Sequence, residues 1–142
     1  MKSLRVLIVD DEPPARRKLV AMLKEERDLR IVGEAANGRD AAALIEEQEP
    51  DVVFLDVQMP GMDGFELCTK IRALPNHKNT PIIFVTSLTD FKSRARSSLS
   101  GGNDLIAKPF MFIELSVKAL TYVLRGRLMK AKTPAPPMAA AA

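Results

Sequence analysis

The chain has 142 residues, of which 46% are hydrophobic and 27% charged, and its formal net charge is +3. These values are typical of one globular domain that is large enough to bury its own core. The single cysteine, Cys68, excludes an internal disulfide and a cysteine metal cluster. No apolar run approaches the roughly 20 residues that cross a bilayer, and the first residues do not form a signal peptide, so we expect a soluble cytoplasmic protein without a membrane partner.

Short apolar runs alternate along the chain with segments whose apolar residues recur every three or four positions. The short runs, rich in β-branched residues, predict strands buried on both faces, and the longer segments predict helices. The predicted strands are 5–9, 30–35, 52–55, 80–85 and 104–107, and the predicted helices are 13–27, 39–48, 65–74, 91–99 and 111–124. This alternation predicts an α/β fold, a doubly wound parallel sheet of five strands in the order 2-1-3-4-5 with helices on both faces.

The end of the chain differs in composition from the rest. From residue 126 the chain becomes basic, and from Thr133 to Ala142 it is rich in proline and alanine. Such a composition cannot bury a core, so we expect a folded domain over residues 1–125 and a flexible tail or linker over residues 126–142. Residues 92–142 carry nine basic and two acidic side chains, but aromatic residues are not interleaved with them. Nucleic acid is therefore not an expected partner.

Polar side chains follow four of the predicted strands at the point where each strand ends. Asp10 and Asp11 follow the first strand, Asp56 the third, Thr86 and Ser87 the fourth, and Lys108 the fifth. Because the carboxyl ends of parallel strands share one edge of the sheet, where ligands bind, we expect these side chains to converge. Taken alone, Asp56 is equally consistent with a helix cap or a turn residue.

Three carboxylates in one small pocket repel each other. Two unit charges about 4 Å apart repel by about 4 kcal/mol at an effective dielectric constant near 20, so either one carboxyl is protonated or a cation lies among them. Mg²⁺ suits oxygen ligands in an open site. Lys108 adds a positive charge and Thr86 a hydroxyl donor, which together favour an anion beside the metal. A phosphoryl group on Asp56, acting as the nucleophile, meets these demands.

These motifs, in this order, resemble the receiver domain of two-component response regulators, the CheY-like family. The resemblance covers residues 4–124 and implies a flavodoxin-like fold. It rests on the acid pair after the first strand, the segment from Asp56 to Gly64 (DVQMPGMDG) after the third, Thr86 after the fourth, and Lys108-Pro109-Phe110 after the fifth. A lone acid pair is a weak signal, whereas four matches at strand ends are specific in combination.

The resemblance implies a role for each site residue. Asp56 is the expected phosphoacceptor, Asp11 a direct Mg²⁺ ligand and Asp10 a neighbour that acts more through water, while the backbone carbonyl of Gln58 completes the protein's share of the metal shell. Thr86 is the expected switch hydroxyl and Lys108 the expected conformational lysine, with a cis bond to Pro109. The implied function is a phospho-accepting signalling switch that catalyses only its own phosphorylation and dephosphorylation.

The expected partners also come from the resemblance. A sensor histidine kinase or a phosphotransfer protein donates the phosphoryl group to such domains, and a downstream protein that the sequence does not identify responds to it. The fourth helix, the fifth strand and the last helix form the face where this family often dimerises or meets targets. We expect Arg94, Arg96 and Lys118 to make that face basic.

One departure from the family pattern concerns Leu105, which stands where the family usually has tyrosine or phenylalanine. A leucine cannot swing a ring inward behind Thr86, which puts the usual aromatic step of the switch in question. The departure leaves open a pseudo-receiver, an interaction module that is never phosphorylated. A phosphatase with an aspartyl nucleophile is disfavoured because Gln58, two residues after Asp56, cannot act as a general acid.

Three further residues have predicted roles outside the acidic cluster. Leu88 is predicted to shield the acyl phosphate and slow its hydrolysis. Asp63 is interpreted as a turn residue with Gly64. His77, the single histidine, is interpreted as a solvated side chain in a polar loop.

Overall fold

The computed structural model describes residues 3–132. The strands are β1 (Leu4–Val9), β2 (Leu29–Ala35), β3 (Val52–Leu55), β4 (Ile82–Thr86) and β5 (Asp104–Ala107). The helices are α1 (Pro13–Lys24), α2 (Gly38–Gln48), α3 (Gly64–Ala73), α4 (Phe91–Leu99) and α5 (Phe112–Lys132). All strand pairs are parallel and the order is β2-β1-β3-β4-β5, which confirms the predicted topology.

Strand register determines which residues reach the carboxyl edge of the sheet. The last residues of β1 and β3 pair with each other, so the residues that follow them, Asp10 and Asp56, leave the sheet side by side. The last residues of β4 and β5 also pair, which brings Thr86 and Lys108 to the same edge. The fold therefore gathers polar residues that are far apart in the sequence.

The sheet separates two hydrophobic cores, because successive side chains of a strand point to opposite faces. Leu7 and Leu55 lie in the core that α2 and α3 cover, and Ile8 and Phe54 lie in the core that α1 and α5 cover. All four residues of β3 are buried. This double burial explains why the sequence of β3 is continuously apolar rather than alternating.

The last helix is longer than predicted. We expected it to end at about Leu124 and the chain to become flexible from Gly126, but α5 continues to Lys132. Gly126 lies in the helix with open space where a Cβ would stand, and a single glycine costs a helix only about 1 kcal/mol. The prediction was therefore wrong for residues 126–132, while the predicted tail over residues 133–142 lies outside the described residues.

The other strands and helices begin and end within three residues of their predicted limits. The largest of these differences is at α1, which ends at Lys24 rather than near residue 27. The domain boundary at residue 125 stays a prediction. Within residues 3–132, no helix is long and apolar enough to cross a membrane.

Candidate functional site

Three carboxylates meet at the carboxyl edge of the sheet. Asp10, Asp11 and Asp56 each offer an oxygen, and these oxygens all lie within 4.8 Å of one another. Asp10 and Asp56 are only 3% and 4% exposed. Backbone hydrogen bonds hold both in place, since Asp56 N donates to Val9 O at 2.9 Å and Asp10 N donates to Ala35 O at 3.0 Å. The structure thus brings together the three acids that the sequence singled out.

Lys108 lies against two of these acids. Its Nζ donates to Asp10 Oδ2 at 3.0 Å and lies 3.7 Å from Asp56 Oδ2. Its backbone N donates to Thr86 O at 2.9 Å, and its peptide bond to Pro109 is cis, as the resemblance implied. Burial disfavours the ammonium, but the hydrogen bond to Asp10 and the charges of Asp56 and Asp10 outweigh burial and raise the pKa of Lys108. The lysine therefore stays charged and offsets part of the repulsion among the acids.

The carboxyl group of Asp56 is difficult to ionise in this environment. Its pKa is raised from 3.8 to about 6, chiefly by burial, with the charge of Lys108 lowering it and the charge of Asp10 raising it. Hydrogen bonds from the backbone of Gln58 and Val57 lower it, and Gln58 N lies 3.4 Å from Asp56 Oδ1. A buried carboxyl group with a raised pKa at the end of a rigid strand is a candidate nucleophile.

Asp11 carries a buried oxygen, Oδ1, that has no hydrogen-bond partner among the described residues. Leaving such an atom unpaired costs on the order of 1–3 kcal/mol, and more when the group is charged. Asp10, by contrast, accepts hydrogen bonds from Glu12 N at 3.0 Å and from Lys108. A cluster of three carboxylates with one oxygen left unpaired fits a hard divalent cation such as Mg²⁺, which prefers oxygen ligands.

The loops after β3 and β4 are joined across the same edge. Ser87 Oγ donates to Gln58 Oε1 at 3.2 Å. Thr86 is fully buried, and its Oγ1 accepts a hydrogen bond from Leu88 N at 3.2 Å. Leu88 is half-buried and packs against the core on the α3 side of the sheet. Thr86 and Gln58 therefore lie in a hydrogen-bonded rim at the edge where the acids meet.

Gly64 matters to the site in a way that the sequence did not predict. Its backbone N donates to Val57 O at 2.8 Å. A Cβ on Gly64 would overlap the carbonyl O of Asp56 and lie 2.8 Å from Val57 Cα. Glycine therefore lets α3 begin directly against the backbone of the Asp56 loop. The sequence placed this glycine in the motif, but the close approach that requires it is a tertiary contact.

Asp63 caps α3, a more specific role than the predicted turn residue. Its Oδ1 accepts from Glu66 N at 2.8 Å. Its Oδ2 lies 3.6 Å from Arg96 Nη2, and the Arg96 guanidinium lies 4.6 Å from the centroid of the Phe65 ring. Arg96 is therefore engaged with α3, which reduces the positive charge that α4 presents to a partner.

The interpretation of His77 as a solvated side chain was wrong. The residue is 5% exposed, its ring Nδ1 lies 2.9 Å from Thr80 Oγ1, and its backbone carbonyl accepts from Arg72 at 3.1 Å. These contacts hold the loop between α3 and β4 against the amino-terminal edge of the sheet, opposite the acids. The polar composition of the loop does not reveal this burial, because the contacts that fix the loop come from Arg72 in the preceding helix.

Leu105 is packed in the core behind β4. It pairs with Phe84 across β4 and β5 and lies in the same core as Phe65. The rings of Phe65 and Phe84 meet edge to face with their centroids 5.2 Å apart, a favourable aromatic geometry. The leucine that departs from the family pattern is therefore a core residue in close contact with β4.

Comparison with known proteins agrees with the fold. The family description "Response regulator receiver domain" matches residues 6–120. The chain belongs to the response regulator receiver domain family of two-component systems. An uncharacterised response regulatory protein of Yersinia pestis is 40% identical over 128 residues, which cover 89% of this chain and 51% of that protein. The chain thus spans about half the length of this relative.

Two solved structures show the same fold. Chemotaxis protein CheY4 of Vibrio cholerae has a TM-score of 0.76 and 31% identity, covering 85% of this chain and 98% of that one. A chain of the CheX–CheY–BeF3–Mg²⁺ complex of Borrelia burgdorferi has a TM-score of 0.77 and 25% identity, covering 84% of this chain and 89% of that one.

Proposed function

We propose that this domain is a phospho-accepting signalling switch in which Asp56 receives the phosphoryl group. The observation that carries the proposal is the buried cluster of three carboxylates, whose oxygens lie within 4.8 Å of one another. One lysine, Lys108, lies 3.0 and 3.7 Å from two of them. Such a cluster is destabilised by its own charge and is stabilised when a divalent cation and a phosphoryl group bind together.

Mg²⁺ is the proposed metal. Asp11 binds it directly, through the carboxylate whose Oδ1 is otherwise unpaired, and Asp10 acts more through water. Asp56 and the backbone carbonyl of Gln58 complete the protein's ligands. When bound, the ion neutralises charge that develops on the phosphoryl oxygens. The Borrelia CheY complex contains Mg²⁺ together with BeF3, an analogue of a phosphoryl group. This complex supports the proposal that Mg²⁺ and a phosphoryl group bind together in this domain.

In the proposed reaction, a carboxylate oxygen of Asp56 attacks the phosphorus atom of a phosphohistidine. A P–O bond forms, the P–N bond breaks, and its electron pair stays on the imidazole nitrogen, which takes up a proton. Lys108 compensates negative charge beside Asp56. The Thr86 hydroxyl, which accepts from Leu88 N, keeps its own proton free to donate to a phosphoryl oxygen.

The proposed donor is a sensor histidine kinase or a phosphotransfer protein, and the proposed compartment is the cytoplasm. Phosphorylation would shift the population of two states of the segment from Thr86 to Lys108 and so change affinity for a downstream protein. The proposed contact face, for that partner or for a second copy, comprises α4, β5 and α5. Its exposed apolar side chains include Phe91, Leu99 and Ile113.

The proposal is tested by intact mass after incubation with acetyl phosphate, with and without Mg²⁺. We expect a Mg²⁺-dependent gain of one phosphoryl group in the wild type and in Asp40→Asn, an exposed control on α2. We expect no gain in Asp56→Asn. If the wild type gains nothing under any condition, the domain is an unphosphorylated interaction module and the proposal is wrong.

Leu88 offers a second test of the same site. Its half-buried position beside Thr86 supports the prediction that it shields the acyl phosphate. We expect Leu88→Glu to shorten the lifetime of the phosphorylated form, because a carboxylate admits water where the leucine excludes it. Phosphoryl loss is followed by mass after the donor is removed, and an unchanged rate would refute the shielding role.

A further inference from the structure

Arg16, near the start of α1, has no part in the reaction proposed above, yet it contacts the loop that carries two of the acids. Its Nη1 donates to the backbone O of Asp10 at 2.7 Å, and its Nε lies 3.4 Å from Glu34 Oε1 on β2. The side chain is 20% exposed. A planar guanidinium that contacts two acceptors is held in one orientation, so Arg16 ties the loop after β1 to the neighbouring strand.

Asp10 is fixed at each of its polar atoms. Its backbone N donates to Ala35 O, and its backbone O accepts from Arg16. Its side-chain oxygens accept from Glu12 N and from Lys108 Nζ. Among these four hydrogen bonds, the one from Arg16 holds the backbone carbonyl, and so it is the one that controls where the chain goes next.

The carbonyl of Asp10 belongs to the peptide unit that leads into Asp11. Because a peptide unit is planar, a hydrogen bond that fixes the Asp10 O also fixes the plane in which the N and Cα of Asp11 lie. Asp11 Oδ1 is buried and has no hydrogen-bond partner within residues 3–132. The direction of the Asp11 carboxylate therefore depends on its backbone, which Arg16 holds in place.

We propose that Arg16 is a positioning residue for the metal site. By holding the Asp10 carbonyl, it keeps the Asp11 carboxylate directed at a divalent cation between the three acids. This role deepens the proposed function and rests on the metal site in it, since it requires a cation at this cluster. It does not require phosphorylation of Asp56.

The charge of Arg16 and its hydrogen bond would affect a bound cation in opposite directions. A positive charge near a metal site repels the metal, so charge alone predicts tighter metal binding when Arg16 is replaced. Loss of a group that orients a metal ligand instead weakens binding, typically by about ten- to hundredfold. Because Glu34 lies against the guanidinium and offsets its charge, we expect the loss of orientation to dominate.

The test is the affinity of the full 142-residue chain for Mn²⁺, measured from the EPR signal of the free ion. Mn²⁺ suits the same oxygen ligands as Mg²⁺. Arg16→Met keeps an apolar stem and loses the donors, and we expect its Kd to rise about tenfold. Arg16→Lys keeps the charge but not the planar pair of donors, and we expect a rise of about threefold.

Two variants on the same helix are the controls. Arg17→Met removes the same charge from the next position, which is exposed, and we expect its Kd to stay within about twofold of the wild type. Val20→Ala loosens the packing of α1 against the core, where Val20 is buried. We expect it to lower the free energy of unfolding and to leave the Kd for Mn²⁺ unchanged. Circular dichroism verifies that each variant is folded.

The sign and the location of the effect decide the outcome. Mn²⁺ binding that is unchanged or tighter in Arg16→Met would overturn the positioning role. An equal loss in Arg17→Met or in Val20→Ala would also overturn it, because the effect would then come from charge or from general loosening of α1. A wild type that binds no Mn²⁺ would overturn it together with the metal site.

Labelling of Asp56 by acetyl phosphate over a range of Mg²⁺ concentrations separates this role from the proposed function. We expect Arg16→Met to need about tenfold more Mg²⁺ for half-maximal labelling, with the maximal rate kept because Asp56 and Lys108 are unchanged. A lower maximal rate with an unchanged Mg²⁺ requirement would overturn the positioning role. A wild type that binds Mn²⁺ but is never labelled would contradict phosphorylation alone, and the Mn²⁺ affinities would still decide the role of Arg16.

Discussion

Buried polar groups lie at both edges of the sheet, but they are hydrogen-bonded at one edge and partly unpaired at the other. At the amino-terminal edge, Arg72 donates hydrogen bonds to the backbone carbonyls of Gly101, His77 and Thr80 and to Asn103 Oδ1. At the carboxyl edge, three carboxylates lie close together and a lysine, Lys108, contacts two of them. One of their buried oxygens has no hydrogen-bond partner within residues 3–132.

This difference separates a structural network from a candidate binding site. The guanidinium of Arg72 satisfies carbonyls from two loops, the one between α3 and β4 and the one between α4 and β5, so these groups are paired without a ligand. The acidic edge keeps an unpaired Asp11 oxygen and an Asp56 pKa of about 6, which are costs that a bound cation removes. A buried polar group is therefore informative about function when it is unsatisfied rather than merely buried.

The largest expected loss of stability is at the amino-terminal edge of the sheet, where Arg72 lies. Arg72→Ala would leave the carbonyls of Gly101, His77 and Thr80 without their donor. At about 1–3 kcal/mol for each buried group left unpaired, we expect the free energy of unfolding to fall by about 4 kcal/mol. Urea denaturation measures this loss.

The matched control is Arg94→Ala on α4, where Arg94 is exposed and donates to one carbonyl, that of Thr89. We expect it to change stability by about 0.5 kcal/mol or less. Equal losses in the two variants would mean that the Arg72 network has no special structural role.

The next effect concerns pH at the acidic edge in the absence of metal. The folded pKa of Asp56, about 6, lies above its ordinary value of 3.8. A carboxyl group whose pKa is raised on folding contributes to the free energy of unfolding below about pH 4, and this contribution is lost as the pH rises through about 6. The difference corresponds to about 3 kcal/mol.

In EDTA, we therefore expect the wild type to lose stability relative to Asp56→Asn between about pH 4 and pH 7. Urea denaturation at a series of pH values gives the difference. Asp40→Asn, an exposed substitution on α2, should leave the pH dependence of the wild type intact. A constant difference between wild type and Asp56→Asn across this range would contradict the raised pKa.

A smaller loss of stability is expected from a substitution at Gly64, which would also affect the phosphorylation of Asp56. In Gly64→Ala, the added Cβ would meet the Asp56 carbonyl, and we expect a loss of about 2 kcal/mol together with slower labelling of Asp56 by acetyl phosphate. Gly126→Ala, in open space on α5, should instead stabilise the helix by about 0.5–1 kcal/mol. If the two alanine variants behave alike, the close approach at Gly64 is not significant.

The fold was predictable because its signals are local and repeated. Each buried strand is a short apolar run, and the alternation with helices permits few topologies. The convergence of Asp10, Asp11 and Asp56 followed from the fold, because parallel strands end at one edge. The carboxylates were thus predictable as a group before any side-chain distance was known.

The remaining features depend on contacts that are distant in the sequence. Arg72 bonds to Gly101 and Asn103, which lie 29 and 31 residues further along the chain, so the burial of His77 beside it left no local signal. The helical continuation past Gly126 was missed because glycine is a common helix terminator but costs only about 1 kcal/mol inside a helix. The switch role of Thr86 and the metal-ligand role of Gln58 came from the family resemblance and stay predictions.

The most direct test of the contrast between the two edges compares wild type with Asp11→Asn in EDTA and in about 10 mM MgCl₂, by urea denaturation. Without metal we expect the variant to be the more stable by about 1–2 kcal/mol, because a repelling and unpaired carboxylate is removed. With Mg²⁺ we expect the order to reverse, since binding to the folded wild type stabilises it. If Mg²⁺ shifts both proteins equally, or neither, the acidic edge is not the metal site that this account requires.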